Sequence, residues 1–219
     1  MNFFENPVVA NLVAFVIALV AIFIFELMKR PSLTIELPDE RNTTIDAVEG
    51  HRQAARIVQL KAINNPIYKN WIQRNTATNC RSKITVIDVS GNSLHRNVST
   101  KWTARREPLT ISAGPDGRFP ILLVDDYLIG RCDLLDIYAN CIGEAFAVAL
   151  KVEGDRYCYL FRGESYRSKN QWRLPQHKIP EGEFKIEVLI EGDNGKSPIK
   201  NYRLRNHGTA PDGLTLDDS

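Results

Sequence analysis

The side chains that could act as acids, bases or nucleophiles are scattered along the chain without a recognisable catalytic pattern. The sequence contains no GxxxxGK[ST], GxGxxG, HExxH or GxSxG motif, the spacings that bring phosphate-binding, metal-binding or nucleophilic groups together. The four histidines lie apart, in segments whose composition indicates exposure; they are His51, His95, His177 and His207. The sequence therefore predicts no catalytic residue, and we interpret the protein as a non-enzyme.

Two short segments come nearest to a reactive or metal-binding site. Residues 163–167 read GESYR, which has the serine of a nucleophile elbow but neither its second glycine nor its strand–turn–helix context. Four aspartates could supply oxygen ligands to a hard cation; they are Asp125, Asp126, Asp133 and Asp136. Because their spacing fits no calcium- or magnesium-binding loop, we predict a solvated acidic edge, no metal site and no cofactor.

The cysteines favour free thiols over a zinc site. Cys80, Cys132, Cys141 and Cys158 form no CxxC pair and no Cys/His cluster with zinc-ligand spacing. In a reducing cytosol such residues stay free and are mostly buried, whereas an extracytoplasmic domain could join four cysteines in two disulfides. Whether the thiols are free or paired therefore depends on the side of the membrane on which the domain lies.

Charge is distributed unevenly along the chain, although the net charge of the whole is only +2. Residues 51–110 hold eleven Lys and Arg against two Asp and Glu, whereas residues 111–155 hold three against eight. These segments therefore carry net charges of +9 and −5. Three arrangements would explain this: pairing of basic with acidic strands inside one domain, attraction to anionic lipid headgroups, or binding of nucleic acid or another polyanion.

The basic segment supplies the candidate binding residues. Tyr68, Trp71 and Trp102 lie among its cations and could stack on bases, but Trp102 has the spacing of an inward-facing strand residue. Nucleic acid is therefore the less favoured partner. The predicted basic binding surface consists of Arg52, Lys69, Arg74, Lys101, Arg105 and Arg106.

A hydrophobic segment near the N-terminus determines where the rest of the chain lies relative to a membrane. The eighteen residues from Val8 to Phe25 contain no charge, and only Asn11 among them is strongly polar. As a helix they would extend for roughly 27 Å, close to the hydrocarbon thickness of a bilayer. A core helix would show a polar face, and a signal peptide would have basic residues before its apolar core. We therefore predict an uncleaved transmembrane anchor within residues 1–30.

The charged flanks of this segment predict its orientation. Lys29 and Arg30 follow it directly, whereas only Glu5 precedes it, and short flanks rich in Lys and Arg stay in the cytoplasm. We expect a single-pass protein of the cell membrane, with its N-terminus outside and its large domain in the cytoplasm. Pro31 would end the helix at the interface.

Past Pro31 the apolar residues change from a continuous run to the alternation of half-buried strands. The clearest case is residues 183–191, in which Phe184, Ile186, Val188 and Ile190 share one face. Eight or nine such segments, separated by turns and without amphipathic helices, predict a mainly β fold, an antiparallel immunoglobulin-like β-sandwich over residues 31–205. We expect irregular insertions around residues 38–53, 105–120 and 163–181, and a disordered acidic tail over residues 206–219.

Four short segments resemble a known kind of protein. They are LKAINN at residues 60–65, ATNCR at residues 77–81, ITVID at residues 84–88, and the pair Lys101-Trp102. In this order they are similar to uncharacterised prokaryotic single-span membrane proteins with a cytosolic immunoglobulin-like β-sandwich domain. In those proteins a strand ending in Asn precedes an Asn-Cys pair, and a Lys/Arg-Trp pair follows. The resemblance implies a fold and a tether, and it brings no catalytic residues.

The sequence thus favours a membrane-anchored, non-catalytic interaction module that contacts an anionic lipid or a protein partner at the inner leaflet. Sandwich domains commonly bind through end loops and sheet edges. One alternative is an effector or enzyme whose site is assembled from scattered residues, which a pocket joining His95 or His177 to carboxylates would favour. Another is an accessory subunit of a membrane complex that assembles through the span.

Overall fold

The computed structural model describes residues 7–38, 41–46, 52–67, 74–113, 120–139, 141–168 and 172–219. Its first element is helix α1, Pro7–Met28, whose 22 residues extend for about 33 Å. No side chain of α1 is buried against the rest of the described chain. The predicted N-terminal helix is confirmed, and it is long and apolar enough to span a membrane.

Fourteen strands and one short helix follow α1 in the described part of the chain. In chain order they are β1 Leu33–Glu36, β2 Arg41–Asp46, β3 Arg52–Asn64, β4 Ala77–Ile87, β5 Ser93–Ser99, β6 Leu109–Ala113, β7 Pro120–Val124, α2 Asp126–Cys132, β8 Leu135–Ile137, β9 Glu144–Val152, β10 Cys158–Leu160, β11 Lys178–Ile179, β12 Gly182–Glu191, β13 Lys200–Asn206 and β14 Leu214–Asp218. Short 3-10 turns occur at Gly163–Arg167, Pro175–His177 and Pro211–Gly213.

Most of the strands form two sheets, and every strand pairing in them is antiparallel. The first sheet has the order β1-β3-β9-β10-β11, with β2 paired to the N-terminal half of β3. The second has the order β14-β13-β12-β4-β5, with β8 paired to β4, and β6 and β7 form a separate hairpin. The predicted mainly β fold with antiparallel sheets behind an N-terminal helix is confirmed, whereas its immunoglobulin-like topology stays a prediction.

The main core lies between the two sheets and follows the alternation present in the sequence. The four predicted inward positions of β12 are all buried. Trp102 is fully buried as well, and its indole N–H donates to the carbonyls of Cys80 at 3.0 Å and Asp133 at 3.1 Å. Its ring packs edge-on against Phe146, with 5.2 Å between the centroids. The prediction that Trp102 faces inward is therefore confirmed.

Three segments that the sequence predicts to be irregular contain strands. Strand β2 lies within residues 38–53, β6 lies within residues 105–120, and β14 lies within the predicted tail. The prediction of a disordered tail over residues 206–219 is wrong, because β14 pairs with β13 along its whole length. Leu214 and Leu216 alternate into the core with exposures of 0% and 4%. Two inward leucines and an available strand edge suffice to order a segment of polar composition.

A second, smaller cluster of buried side chains covers the outer face of the first sheet. It joins Ala55 on β3 and Ala147 on β9 to Phe161 and Tyr166, which lie in the segment after β10. Leu109 of β6 packs against the same cluster. Strand β9 is consequently buried along most of its length, and the outer layer forms the walls of a cleft.

Candidate binding cleft

The segment between β5 and β6 carries three of the predicted cations, and its backbone is fixed to the first sheet. The N–H of Lys101 donates to the carbonyl of Phe161 at 3.2 Å, and the carbonyl of Lys101 accepts from the N–H of Ala147 at 3.0 Å. Successive side chains of an extended segment point to opposite sides. Because Trp102 enters the core, Lys101 is turned toward the outer face of the sheet.

Lys101 is a buried cation that lines the cleft. The residue is only 6% exposed, and its Nζ donates to the carbonyls of Trp102 at 3.3 Å and Arg105 at 3.0 Å. No ion pair joins this ammonium to a carboxylate of the described residues. Burial lowers the pKa of Lys101, while Cys132, Glu107 and Asp133 act on it in the opposite direction. An ammonium has three donors, and two of them have these backbone partners.

Two further cations line the same cleft, which has a volume of about 420 Å³. Arg105 and Arg106 are both exposed, and Nε of Arg105 is held by the carbonyl of Leu134 at 2.6 Å. Glu107 brings an opposing charge, but it lies against Tyr166, whose pKa is raised by burial and then by this carboxylate. We call this site, lined by Lys101, Arg105 and Arg106, the cationic cleft.

Three aromatic rings form one wall of the cationic cleft. The centroids of Phe161, Tyr166 and Trp172 lie 5.7 to 5.8 Å from one another, in tilted or edge-to-face pairs. Trp172 has a φ of +64°, in the left-handed region that bulky side chains avoid. Such a backbone costs about 1–3 kcal/mol and persists only where its surroundings impose it. The wall therefore presents a fixed apolar surface beside three cations.

The structure brings three of the six predicted binding residues together. Lys101, Arg105 and Arg106 share the cationic cleft, but Lys101 is buried where the prediction makes it part of an exposed surface. The reason is the neighbouring Trp102, which draws the segment onto the sheet. Arg52 is the first residue of β3, whereas the residues of β3 that line the cleft are Ile57 and Gln59. Lys69 lies outside the described residues.

Arg74 belongs to a different place in the fold. Its Nη1 donates to the carbonyls of Met28 at 2.7 Å and Arg30 at 2.9 Å, at the C-terminal end of α1. The side chain therefore connects the helix to the β domain and is not part of the cleft. A run of cations in the sequence does not reveal this, because the acceptors are backbone carbonyls more than forty residues away.

The aromatic wall is absent from the sequence-based prediction. Phe161, Tyr166 and Trp172 fall in or next to the predicted insertion at residues 163–181. Their aromatic character signals burial in general, but no local spacing indicates which face of which sheet they cover. Only the tertiary fold brings them to the cations of residues 101–106.

A second polar cluster joins two of the histidines that are distant in sequence. The ring centroids of His95 and His177 lie 5.8 Å apart. Nε2 of His177 is 3.4 Å from Nη1 of Arg162, and Nη2 of Arg162 is 3.9 Å from Asp133 and 3.4 Å from Glu164. The guanidinium therefore stands between the imidazoles and the carboxylates.

The pKa values of this cluster are shifted by its environment. Burial lowers the pKa of His177, and the charges of Arg162 and His95 lower it further. Burial raises the pKa of Asp133 to about 6, against the opposing effect of Arg162. Acid–base sites need shifts of this kind, but no imidazole is paired with a carboxylate among the residues that the structure describes.

The remaining aspartates stabilise the fold locally. Asp125 caps α2, because its Oδ1 accepts from the backbone N–H of the first residues of that helix. Asp126 pairs with Arg167 at 2.7 Å, and Asp136 accepts from the N–H of Asn79 at 2.8 Å. Within the described ranges, no group of three His, Cys, Asp or Glu is arranged to hold a metal ion.

Ser165 and three of the four cysteines are buried. Ser165 is buried in a 3-10 turn, where its Oγ accepts from the N–H of Arg162 at 3.1 Å, so it does not stand on an exposed elbow. Cys80, Cys132 and Cys158 are buried, Cys141 is exposed, and none of the four is in a disulfide.

Together these features define a β-sandwich domain behind a helix able to span a membrane, with a cationic cleft on the outer face of one sheet. Comparison with protein-family models, curated proteins and solved structures finds no match to the chain. The resemblance to prokaryotic single-span membrane proteins therefore stays a prediction.

Proposed function

We propose that this chain is a membrane-anchored, non-catalytic binding module that holds an anionic lipid headgroup in the cationic cleft. Helix α1 crosses the cell membrane once in this proposal, with the N-terminus outside. Lys29 and Arg30 directly after α1 support a cytoplasmic domain, since short basic flanks are retained on that side. The cytoplasmic leaflet also carries the anionic lipids that attract Lys and Arg.

The observation that carries this proposal is the burial of Lys101 without an ion pair. Removing an ammonium from water is costly unless acceptors or an anion compensate it. Two backbone carbonyls occupy two of its three donors, and a phosphate oxygen in the cleft would take the third. Arg105 and Arg106 add planar guanidinium groups, which bind phosphate through paired hydrogen bonds.

The aromatic wall favours a ligand that is anionic at one end only. Phe161, Tyr166 and Trp172 offer apolar surface beside the cations, which suits the glycerol and first methylenes of a lipid next to its phosphate. An acidic protein segment or a single-stranded nucleic acid could use the same cations. These ligands are alternative outcomes of the test below.

Binding is tested with the full-length chain in neutral detergent micelles, titrated with short-chain phosphatidylglycerol or phosphatidylcholine and followed by calorimetry. We expect saturable binding of the anionic lipid only. Arg105→Glu with Arg106→Glu should weaken it by at least about 2 kcal/mol, since each such cation contributes about 1 kcal/mol near anionic headgroups. The matched control, Lys185→Glu with Arg203→Glu, reverses two exposed charges on the second sheet and should bind normally.

A third variant separates the cleft from general surface charge. Lys101→Met keeps most of the buried volume and removes the unpaired ammonium, so it should also weaken binding. Equal binding of both lipids, or an equal loss in both double variants, would contradict a specific site. Binding of an acidic peptide or an oligonucleotide without any response to lipid would assign the cleft to that ligand instead.

Two other functions are separated from this one by further observations. An effector or enzyme is supported by the shifted pKa values of His177 and Asp133, but it requires Arg162 to leave its position between them. A histidine titration by NMR in which His177 shows an ordinary pKa would remove that support. An accessory subunit would retain a stoichiometric partner after mild detergent extraction, and the proposed module would not need one.

A further inference from the structure

The end of α1 is joined to the β domain by hydrogen bonds and not by a flexible linker. Arg74 donates to the carbonyls of Met28 and Arg30, and a helix end leaves such carbonyls without partners of its own. The N–H of Asn75 donates to the carbonyl of Lys29 at 2.7 Å. Where α1 leaves a bilayer, the domain therefore begins immediately.

The buried side-chain amide of Asn64 forms hydrogen bonds with three segments of the domain near the end of α1. Asn64 is 1% exposed; its Oδ1 accepts from the N–H of Ser32 at 3.0 Å. Its Nδ2 donates to the carbonyls of Asn75 at 2.9 Å and Ile137 at 3.2 Å. Ile137 ends β8, so the loop after β8 is fixed beside the end of α1. We call the region of residues 29–33, 74–75, 137–139 and 141–143 the helix-proximal end.

The loop between β8 and β9 exposes two large apolar side chains at the helix-proximal end. The loop is held against β3, because Ala139 forms a bridge with Asn64, and a Cβ on Gly143 would lie 2.9 Å from the carbonyl oxygen of Ala62. From this loop Tyr138 is 57% exposed and Ile142 is 86% exposed. Neither side chain belongs to the core of the domain.

We infer that the helix-proximal end docks on the surface of the bilayer that α1 crosses, with Ile142 and Tyr138 seated among the lipid headgroups. Tyrosine is enriched at that depth because its ring is apolar and its hydroxyl is polar. Moving an exposed isoleucine out of water lowers the free energy, and the exposed Arg30 just after α1 supplies a cation for the headgroups. The inference rests on α1 as the membrane anchor of the proposed function, and it is independent of the cationic cleft.

Val89 provides a matched position at the opposite end of the domain. It is also 86% exposed and lies in the turn between β4 and β5. Strand β4 begins beside the helix-proximal end, where the N–H of Thr78 donates to Asn194 and Gly195 lies against Pro31. The eleven residues of β4 then extend for roughly 30 Å, which leaves Val89 in water.

Cys141 provides a natural probe of the docked loop. It is exposed while the other three cysteines are buried, so a nitroxide reagent should label it in the full-length chain. In vesicle-bound protein, we expect this label to collide more with oxygen, which concentrates in lipid, than with a water-soluble nickel chelate. A label at Val89→Cys in a Cys141→Ser background should show the reverse ratio.

Charge substitutions complete the test. Ile142→Asp should return the label on Cys141 to water, with the collision ratio reversed, whereas Val89→Asp should leave it unchanged. Nickel-dominated collisions at Cys141 in vesicle-bound wild-type protein would overturn the docking and leave binding in the cationic cleft untouched. Protein that does not float with the vesicles would instead contradict the anchor, and both proposals would fail together.

Discussion

The ammonium of Lys151 lies 2.6 Å from Oδ1 of Asn206 and joins the two sheets at the end of the domain away from α1. Lys151 is a fully buried residue of β9, and Asn206 ends β13. The same Nζ donates to the carbonyls of His207 and Gly208, each at 2.9 Å. All three of its donors are thereby used, and the lysine organises the turn that leads into β14.

Replacing Lys151 with methionine keeps most of the side-chain volume and removes the three donors. Asn206 Oδ1 and two carbonyls would lose their partner, and each buried unsatisfied group costs about 1–3 kcal/mol. Because the turn can relax toward water, we expect Lys151→Met to lower the free energy of unfolding by about 3 kcal/mol. Chemical denaturation of the full-length chain in detergent measures this loss. The control Lys185→Met, at an exposed position of β12, should change stability by less than about 0.5 kcal/mol, and equal losses would contradict the assignment.

The C-terminal segment shows why composition alone fails to predict order. Few residues of 206–219 are apolar, so the sequence predicts a disordered tail. Its order comes from contacts with distant residues: Lys151 holds Asn206, and β13 pairs with β14 so that Leu214 and Leu216 enter the core. By contrast, α1 and the inward face of β12 each follow from one local pattern, a continuous apolar run and a strict alternation. Those elements are predictable because no distant partner is needed to recognise them.

The ordered tail leads to a test by truncation of one side chain. Leu214 is fully buried, and removing most of a buried leucine costs about 2–5 kcal/mol. We expect Leu214→Ala to lower the free energy of unfolding by that amount, measured by chemical denaturation. The neighbouring Thr215→Ala, on the other side of β14 and only partly buried, should cost much less. Two equally stable variants would mean that this segment is not packed as a strand.

The cationic cleft could be predicted only in part. Arg105 and Arg106 are adjacent in sequence, and their contribution to a basic site follows from local charge. The burial of Lys101 requires knowledge that Trp102 enters the core and that Phe161 and Ala147 bond the backbone of Lys101. Ala147 lies on β9 and Phe161 directly after β10, both far from Lys101 in the sequence. The aromatic wall comes from a third segment. The charges in the sequence therefore indicate an anionic ligand, but the sequence does not predict the apolar wall of the site.

Because of Asp133, the folded chain should lose stability as pH rises toward about 6. Its pKa is raised from 3.8 to about 6 by burial, and it is faced by Arg162 and Arg81, which oppose the shift, and by Glu164, which adds to it. The folded chain therefore keeps this proton to higher pH than the unfolded chain does. Stability from this group is fully present below the ordinary pKa of 3.8 and is lost as pH rises through about 6. A shift of about two pKa units corresponds to about 3 kcal/mol.

The measurement compares wild type with Asp133→Asn from pH 3 to pH 7 by chemical denaturation. The stability of wild type relative to the variant should fall as pH rises from about 4 to about 6. Asp88→Asn is the control of opposite sign, because hydrogen bonds, chiefly from the backbone of Asn92, lower the pKa of the exposed Asp88. Wild type should lose stability relative to that variant only as pH falls below the ordinary range of aspartate. Parallel curves for the two comparisons would contradict the raised pKa of Asp133.

Arg74 should determine how tightly α1 is held to the domain. In Arg74→Met the carbonyls of Met28 and Arg30 lose a charged donor, which contributes about 1.5–3 kcal/mol per hydrogen bond when buried and less at this partly exposed site. We expect faster hydrogen exchange at the amide of Asn75, which donates to Lys29, measured by mass spectrometry in detergent. The exposed Arg203→Met serves as the control and should leave exchange unchanged.

The same experiment contains an internal reference. The amide of Ser32 donates to the buried side chain of Asn64, a bond that does not involve Arg74, so its exchange should stay slow in the variant. Faster exchange at Asn75 with slow exchange at Ser32 would mean that the arginine stiffens the junction while the asparagine fixes where β1 begins. Faster exchange at both would mean that Arg74 holds the whole helix-proximal end together, and Tyr138 and Ile142 should then leave the bilayer surface in this variant. Unchanged exchange at both amides would contradict a role for Arg74 at the junction.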